Sequence, residues 1–330
     1  MKREITLPPP PAPLPEAETI DPAAILDSLL DGSIDLVCVL GPTASGKTRY
    51  AVALARQFDF LLSERGVKAS DGSPARVEII SADSRQVYRG MTIGTGKDLS
   101  EYEEVPYHLM DIAEAGEKYD IYRYQHDFAR VFEDIRSRGC IPLLCGGSGL
   151  YIEAATCGYH LPDVPADPVL RAELEQYDDE TLKARLASLK PIHNNTDFDS
   201  RKRLIRALEI AIYSSRHPVT RSDFLPRNCF YIGTLVSREE RNARIDARLD
   251  ARLEEGMVEE VRGLLERLSP EDLIYYGLEY KFVTRHLTGE LSYERMREEL
   301  AVAIHQFAKR QMTWFRGMER RGVRIHWVRP

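Results

Sequence analysis

The stretch GPTASGKT, residues 41–48, limits most strongly what this chain can fold into. It has the spacing G-x-x-x-x-G-K-[ST] of a P-loop, in which backbone N–H groups and a lysine hold phosphates at the start of a helix. The apolar run IDLVCVL precedes it and the helical pattern TRYAVALARQF follows it. These three segments predict a phosphate-binding loop at the carboxyl end of a buried strand, where open α/β sheets bind ligands. The loop alone leaves three ligands open: a nucleotide to be hydrolysed, the ATP of a kinase, or another diphosphate that leaves.

The P-loop motif also predicts individual roles. Lys47 is expected to pair with the phosphates and Thr48 to ligate Mg²⁺. The residues expected to hold the phosphate groups are Gly41, Thr43, Ala44, Ser45, Gly46, Lys47 and Thr48.

Four further apolar runs read as buried strands: VEIIS (77–81), IPLLC (141–145), CFYIGTLV (229–236) and VRIHWV (323–328). Helical patterns separate the first three strands of the chain, which indicates βαβ units. The predicted fold class is therefore α/β, with a P-loop NTPase-like parallel sheet formed by residues 33–160 and 228–330. Residues 161–227 lack strand patterns and are predicted to be a helical insertion that binds the macromolecular substrate. Residues 1–32 contain the proline run PPPPAPLP and are predicted to be a proline-rich mobile arm.

The charge balance is acidic overall but uneven. The chain of 330 residues carries a formal charge of −7, yet residues 200–216 and 301–330 are rich in lysine and arginine. Such patches suit a phosphate backbone, although a solvated helix face explains them equally well on charge alone. No apolar run approaches the roughly 18 residues that a membrane helix needs, and no apolar segment follows the first basic residues. We therefore expect a cytoplasmic protein that does not bind a membrane. A monomer is the default expectation.

Two strand ends carry side chains suited to catalysis. The run VEIISAD places Asp83 at the end of the second strand, beside the P-loop. Asp83 could be a carboxylate that binds Mg²⁺, as in P-loop NTPases, or a general base. The run CGGSGLYI places the Ser148 hydroxyl at the same sheet edge, where its glycines permit close approach to a ligand or simply form a tight turn.

The helix SRKRLIRALEI has an apolar stripe, and helical periodicity places Lys202, Arg203 and Arg206 on the opposite side. Arginines at positions i and i+3 could clamp one anionic group. A solvated face is the alternative.

The helix QFAKRQMTWFR mixes Lys309, Arg310 and Arg316 with Trp314 and Phe315. Basic residues interleaved with aromatic residues suit single-stranded RNA. A helix that buries Trp314 is the alternative.

Taken together, the motifs resemble those of the tRNA dimethylallyltransferases, also called tRNA isopentenyltransferases. The segments GPTASGKT, ISADSRQVYRGMTIGTGK, VPYHLMDI, PLLCGGSGLYI, RLIRALEI and FAKRQMTWFR have that family's order and approximate spacing over residues 34–328. The resemblance implies transfer of the dimethylallyl group of dimethylallyl diphosphate to the exocyclic N6 amine of the adenosine 3′ of a tRNA anticodon. Pyrophosphate would leave from the P-loop, and ATP would not be a substrate. A P-loop kinase of a small metabolite, which needs no basic helices, is the alternative enzyme.

The resemblance also implies residue roles. Asp83 would be the general base, and Lys47, Ser148 and Arg206 would complete the catalytic set. Residues similar to tRNA-binding positions of the family are Asp83, Ser84, Arg85, Gln86, Ser148, Arg171, Lys202, Arg203, Arg206, Lys281, Lys309, Arg310, Gln311, Trp314 and Arg316.

Some positions depart from the family pattern. GGSGLY replaces GGTGLY, and Tyr107 replaces the first histidine of VPHHL. The common GYK appears as EYK, so Glu279 places a negative charge near the expected RNA. No cysteine follows Cys229, so the bacterial type without a zinc finger is expected.

Overall fold

A computed structural model of the chain describes residues 14–158, 164–189, 198, 200–217 and 226–330. Its described part contains six parallel strands in one sheet, with the order β3-β2-β4-β1-β5-β6. The strands are β1 (Leu36–Leu40), β2 (Val77–Ser81), β3 (Tyr107–His108), β4 (Ile141–Gly146), β5 (Cys229–Thr234) and β6 (Ile325–Val328).

Strand β1 lies at the centre of the sheet, where Val37 pairs with Leu143 of β4 and with Phe230 of β5. Its side chains alternate between the two faces of the sheet. Cys38 belongs to the larger apolar core on one face, and Val39 belongs to the second core on the other. Because both faces are covered, all five residues of β1 are buried, as expected for a central parallel strand.

Helices pack on both faces of this sheet and, in the described part of residues 161–227, on one another. They are α1 (Pro22–Leu30), α2 (Lys47–Glu64), α3 (Ile121–Ser137), α4 (Gly149–Thr156), α5 (Pro168–Leu174), α6 (Asp179–Leu189), α7 (Arg201–Arg216), α8 (Arg238–Glu254), α9 (Met257–Leu265), α10 (Pro270–Tyr275), α11 (Leu278–Leu287) and α12 (Tyr293–Arg320). The predicted α/β class with a parallel sheet is confirmed. The two-residue strand β3 was not predicted, because a pair of residues carries no alternating pattern.

The N-terminal prediction needs a correction. Residues 1–13, which include the proline run, lie outside the described residues. Within the rest of the predicted arm, however, α1 is an ordered helix that Asp21 caps through its side chain and Pro22 begins. Ile25 and Leu26 are buried in the core shared with α2. A capping aspartate followed by proline at the first helical position is a helix start, so the arm cannot extend to residue 32.

The described parts of residues 161–227 form α5, α6 and α7. These helices share a small apolar core of their own, which includes Leu174, Leu186 and Leu208. The stretch therefore consists of helices packed on one another. Its role in binding RNA remains a prediction.

Candidate active site

The P-loop connects β1 to α2 through backbone conformations that few residues adopt. Gly46, which caps α2, has a φ of 81°, and Ala44 has a φ of 62°. The left-handed region suits glycine, so Gly46 is where the motif needs one. Gly41 is required for another reason: a Cβ added there would lie 2.2 Å from Thr234 Oγ1. The loop is therefore packed tightly between β1 and β5.

Several polar groups of the loop already have partners within the protein. The Ser45 hydroxyl is buried and lies 2.6 Å from Thr234 Oγ1. The Thr43 N–H donates to Gln311 Oε1 at 2.8 Å, and the Ser45 N–H donates to Pro42 O at 3.2 Å. Ser45 thus fixes the loop on β5. Of the N–H groups predicted to hold phosphate, those of Thr43 and Ser45 are engaged in the structure.

A cavity of about 360 Å³ opens beside the P-loop, at the carboxyl end of the sheet. Strand ends and helices from distant parts of the chain meet there. The predicted site residues that line it are Thr43, Lys47, Thr48, Asp83, Ser84, Arg85, Gln86, Ser148 and Lys281. The structure therefore brings the predicted phosphate loop, base and hydroxyl into one space.

Asp83 is held at the end of β2 by its own turn. The Arg85 N–H donates to Asp83 Oδ1 at 2.9 Å, and the Ser84 N–H donates to Ser148 Oγ at 3.0 Å. Ser148 therefore joins the end of β4 to the end of β2. Burial lowers the pKa of the Lys47 ammonium, and the nearby negative charge of Asp83 opposes that shift. The carboxylate and the ammonium thus act on each other across the site.

Two arginines of α8 that were not predicted as site residues also line the cavity. Arg248 pairs with Asp98, and Arg252 is 9% exposed. Both guanidinium groups pack over Gly96, where an added Cβ would lie 1.8 Å from Arg252 Nη2 and 2.8 Å from Arg248 Nη2. Their i, i+4 spacing in RLDAR places them on one helix face. Nothing in the sequence shows that this face meets the P-loop.

Glu279 lies in the same wall of the cavity. Burial raises the pKa of its carboxyl group, and the positive charge of Arg252 opposes the shift. The EYK variant therefore places the carboxylate of Glu279 in the same cavity lining as Arg248 and Arg252.

The segment that follows Asp83 is fixed by Glu260. The N–H groups of Thr92 and Ile93 each donate to Glu260 Oε2 at 2.8 Å, and that of Gly94 donates to Glu260 Oε1 at 3.0 Å. The Tyr280 hydroxyl donates to the same carboxylate at 2.6 Å. One side chain of α9 therefore sets the position of the GTGK segment that borders the cavity.

Gln311, which was predicted to bind tRNA, has both ends of its side-chain amide engaged within the protein. Its side chain is 8% exposed, and its Nε2 donates to Gly147 O at 2.9 Å while its Oε1 accepts from Thr43. Gln311 therefore ties the P-loop to the loop after β4, and its contact with tRNA remains a prediction.

Trp314 is also engaged within the protein. Its indole N–H donates to Glu153 Oε2 at 2.8 Å, and its ring packs so closely on Gly149 that an added Cβ would lie 2.3 Å away. Trp314 is half-buried, and base stacking by its ring remains a prediction. Lys309 and Arg310 on the same helix are exposed, and Arg316 pairs with Glu319 at 3.0 Å.

Arg206 does not line the cavity beside the P-loop. It pairs with Glu209 and donates to Val164 O at 2.8 Å. Arg171 binds the same carboxylate, with Nη2 2.8 Å from Glu209 Oε2. Burial raises the pKa of Glu209, but the Arg171 guanidinium, the Asp167 N–H and Arg206 together lower it to about 2. Arg171 therefore joins α5 to α7, and Arg206 joins α7 to the segment before α5, whereas Lys202 and Arg203 lie on the exposed side of α7.

Residues 86–318 match the family model described as IPP transferase. The chain belongs to the IPP transferase family.

Known IPP transferases support this assignment in sequence. The chain is 53% identical over 301 residues to tRNA dimethylallyltransferase 1 of Parabacteroides distasonis. The matched region covers 90% of this chain and 92% of that protein. It is 53% identical over 298 residues to tRNA dimethylallyltransferase 2 of Porphyromonas gingivalis, with 89% and 93% covered.

Solved IPP transferase structures share the fold. The full-length tRNA isopentenylpyrophosphate transferase of Bacillus halodurans is 33% identical, with a TM-score of 0.62 and 89% of each chain covered. A eukaryotic dimethylallyltransferase acting on tRNA has a TM-score of 0.65 at 24% identity, with 84% of this chain and 69% of that chain covered. The latter likeness concerns the fold alone.

Two observations bear on cofactors and membranes. Within the described ranges, no three His, Cys, Asp or Glu side chains group so that they could hold a metal ion. Among the helices of the described part, none is long and apolar enough to cross a membrane.

Proposed function

We propose that the protein transfers the dimethylallyl group of dimethylallyl diphosphate to the N6 amine of the adenosine 3′ of a tRNA anticodon and releases pyrophosphate. One observation carries the proposal: the Asp83 carboxylate, which follows β2, and the P-loop Lys47, which follows β1, line the same cavity on either side of the end of β4. The curated relatives are named tRNA dimethylallyltransferases, which supports the same reaction. The P-loop then holds the leaving group.

The reaction needs a base because the N6 lone pair of adenine is delocalised into the ring. The amine nitrogen forms a bond to the allylic carbon, and the bond from that carbon to the diphosphate oxygen breaks with its electron pair. Asp83 accepts the proton that the nitrogen loses. The adenosine must leave the anticodon stack to reach a cavity of this size, as in other enzymes that act on bases.

Negative charge accumulates on the departing pyrophosphate. Lys47 and the positive end of α2 are placed to stabilise it. We assign to Arg248 the role that the sequence suggested for Arg206, because Arg248 lines the cavity and Arg206 does not. Lys281, Lys309 and Arg310 are proposed to bind the tRNA backbone, together with the exposed Lys202 and Arg203.

The residues present fit Mg²⁺. The Thr48 hydroxyl and the Asp83 carboxylate both line the cavity, and Mg²⁺ in such sites uses one or two protein oxygens together with substrate phosphates and water. When bound, it would neutralise charge on the diphosphate. Thr48 is the donor that would hold it, since Asp83 is assigned to accept the proton.

The test is to incubate the protein with an unmodified tRNA transcript, Mg²⁺ and dimethylallyl diphosphate, and then to weigh the nucleosides after digestion. Prenylated adenosine is expected with the wild type and with Asp71→Asn, a control in an exposed loop. Asp83→Asn should lower turnover strongly and leave the affinity for tRNA near that of the wild type. Phosphate release from ATP without any prenylated nucleoside would instead identify a kinase.

A further inference from the structure

The cavity proposed to hold the reacting groups is bordered by exposed apolar side chains. Ile274, Tyr275 and Phe307 line it and are 39%, 47% and 38% exposed. Large apolar side chains that are exposed together at a cavity mark a surface that a ligand covers. None of the three has a role in the chemistry described above.

An arginine side chain packs against each of the two exposed aromatic rings. The guanidinium carbon of Arg85 lies 5.4 Å from the centroid of the Tyr275 ring, and that of Arg310 lies 5.8 Å from the centroid of Phe307. Both distances suit cation–π contact. Aromatic rings next to fixed positive charges are the combination with which proteins bind single-stranded nucleic acid, since the rings stack on bases and the cations pair with phosphates.

The local structure holds Tyr275 outward. Tyr276, the next residue, is buried, its hydroxyl accepts from the Gly116 N–H at 2.6 Å, and its ring packs edge-on against Tyr88 at 4.6 Å between centroids. Tyr275 itself is the last residue of α10. The buried Tyr276 therefore fixes the end of α10, and the neighbouring Tyr275 ring faces solvent at the cavity. This arrangement provides a rigid surface on which a base can stack.

We propose that Tyr275 and Phe307 form a stacking surface for the bases that flank the target adenosine. This inference rests on the proposed function. The exposure of both rings favours an RNA base over the dimethylallyl group, because the small apolar group must lie next to the P-loop whereas flanking bases remain at the mouth. Arg85 and Arg310 then lie where the phosphates of those nucleotides can pass.

The experiment measures binding of an anticodon stem-loop RNA by fluorescence anisotropy at several salt concentrations. Tyr275→Ala and Phe307→Ala are each expected to weaken binding about 5- to 150-fold, the range for loss of one stacked base. The slope of log K against log salt should stay unchanged, because no phosphate contact is removed. Lys281→Ala should instead make that slope shallower.

Matched variants separate the ring from its surroundings. Tyr275→Phe keeps the ring and should bind RNA as the wild type does. Phe60→Ala removes a ring that is 65% exposed on α2 and does not line the cavity, so it should also bind normally. A 2-aminopurine placed next to the target adenosine should be quenched on binding by wild-type protein and less quenched with Tyr275→Ala.

Three results would overturn the inference. The first is unchanged RNA affinity in both alanine variants. The second is a raised KM for dimethylallyl diphosphate with normal RNA binding, which would assign the rings to the prenyl group. The third is an equal loss of affinity with Phe60→Ala. RNA binding by the wild type without any prenylated product would contradict the proposed function alone, and the stacking surface would still be judged by its binding data.

Discussion

Gln311 offers a direct test of whether this residue serves the P-loop or the RNA. Gln311→Met keeps the length and approximate volume of the side chain but removes both of its hydrogen bonds, to Thr43 N at 2.8 Å and to Gly147 O at 2.9 Å. Because Gln311 is 8% exposed, water does not readily replace these partners. The variant therefore leaves the half-buried Thr43 N–H group and the buried Gly147 carbonyl without their partner.

The expected cost follows from those two groups. Each buried polar group left without a partner costs about 1 to 3 kcal/mol, and the similar volume of methionine keeps the packing penalty small. The Gly147 carbonyl is buried and counts in full, whereas the half-buried Thr43 N–H group counts for about 1 kcal/mol, so the variant should be less stable by about 2 to 4 kcal/mol. The freed Thr43 segment should also raise the KM for dimethylallyl diphosphate while the affinity for tRNA stays near that of the wild type.

Urea unfolding and steady-state kinetics check both parts of this prediction. Gln306→Met is the matched control, since Gln306 is exposed on the same helix, and it should behave as the wild type. If Gln311→Met unfolds like the wild type and loses affinity for tRNA alone, Gln311 contacts RNA and the reasoning from burial is wrong.

Three further predictions concern the rest of the molecule. The pKa of Glu209 is about 2 against a usual value of 4.5, so its stabilising effect is complete above about pH 4.5 and declines as the pH falls toward about 2; acid unfolding of Glu209→Gln should lack this pH dependence. Gly96 has a φ of 65° and lies against Arg252, so Gly96→Ala should lower the free energy of unfolding by about 1 to 2 kcal/mol. Gly263 has no neighbour within 4 Å, so Gly263→Ala should not lower it. Thermal unfolding measures both effects. Arg248→Lys should lower turnover more than Arg206→Lys does, which single-turnover kinetics can show. Arg206→Lys should lower the melting temperature of the protein more than Arg248→Lys does, because Arg206 binds Glu209 and Val164 O. Calorimetry measures this difference.

The parts of the site that the sequence could predict are local. Lys47, Asp83 and Ser148 each follow a short apolar strand, and the carboxyl ends of parallel strands meet at one edge. A strand pattern and a motif therefore suffice to bring these residues together, and all three line the cavity. The parallel sheet was predictable for the same reason, because strands buried on both faces read as continuous apolar runs.

The remaining parts depend on how distant helices pack. Periodicity gives the face on which Arg206 or Arg248 lies, but it does not say what that face meets. Arg206 meets Glu209 on its own helix, and Arg248 meets the P-loop cavity. Gln311 and Trp314 likewise belong to a helix whose basic composition suggested RNA, yet both point into the protein. Only the tertiary contacts separate these cases.

Glu279 shows how packing changes the meaning of a charge. In the sequence it replaces a glycine and places a negative charge close to an expected RNA surface. In the fold it shares a cavity wall with Arg248 and Arg252, and the charge of Arg252 acts against the rise in its pKa. A buried guanidinium needs a counter-charge, since removing either partner leaves the other uncompensated. The negative charge of Glu279 therefore acts on two arginines of the cavity lining, so this position is more than a negative charge beside an RNA surface.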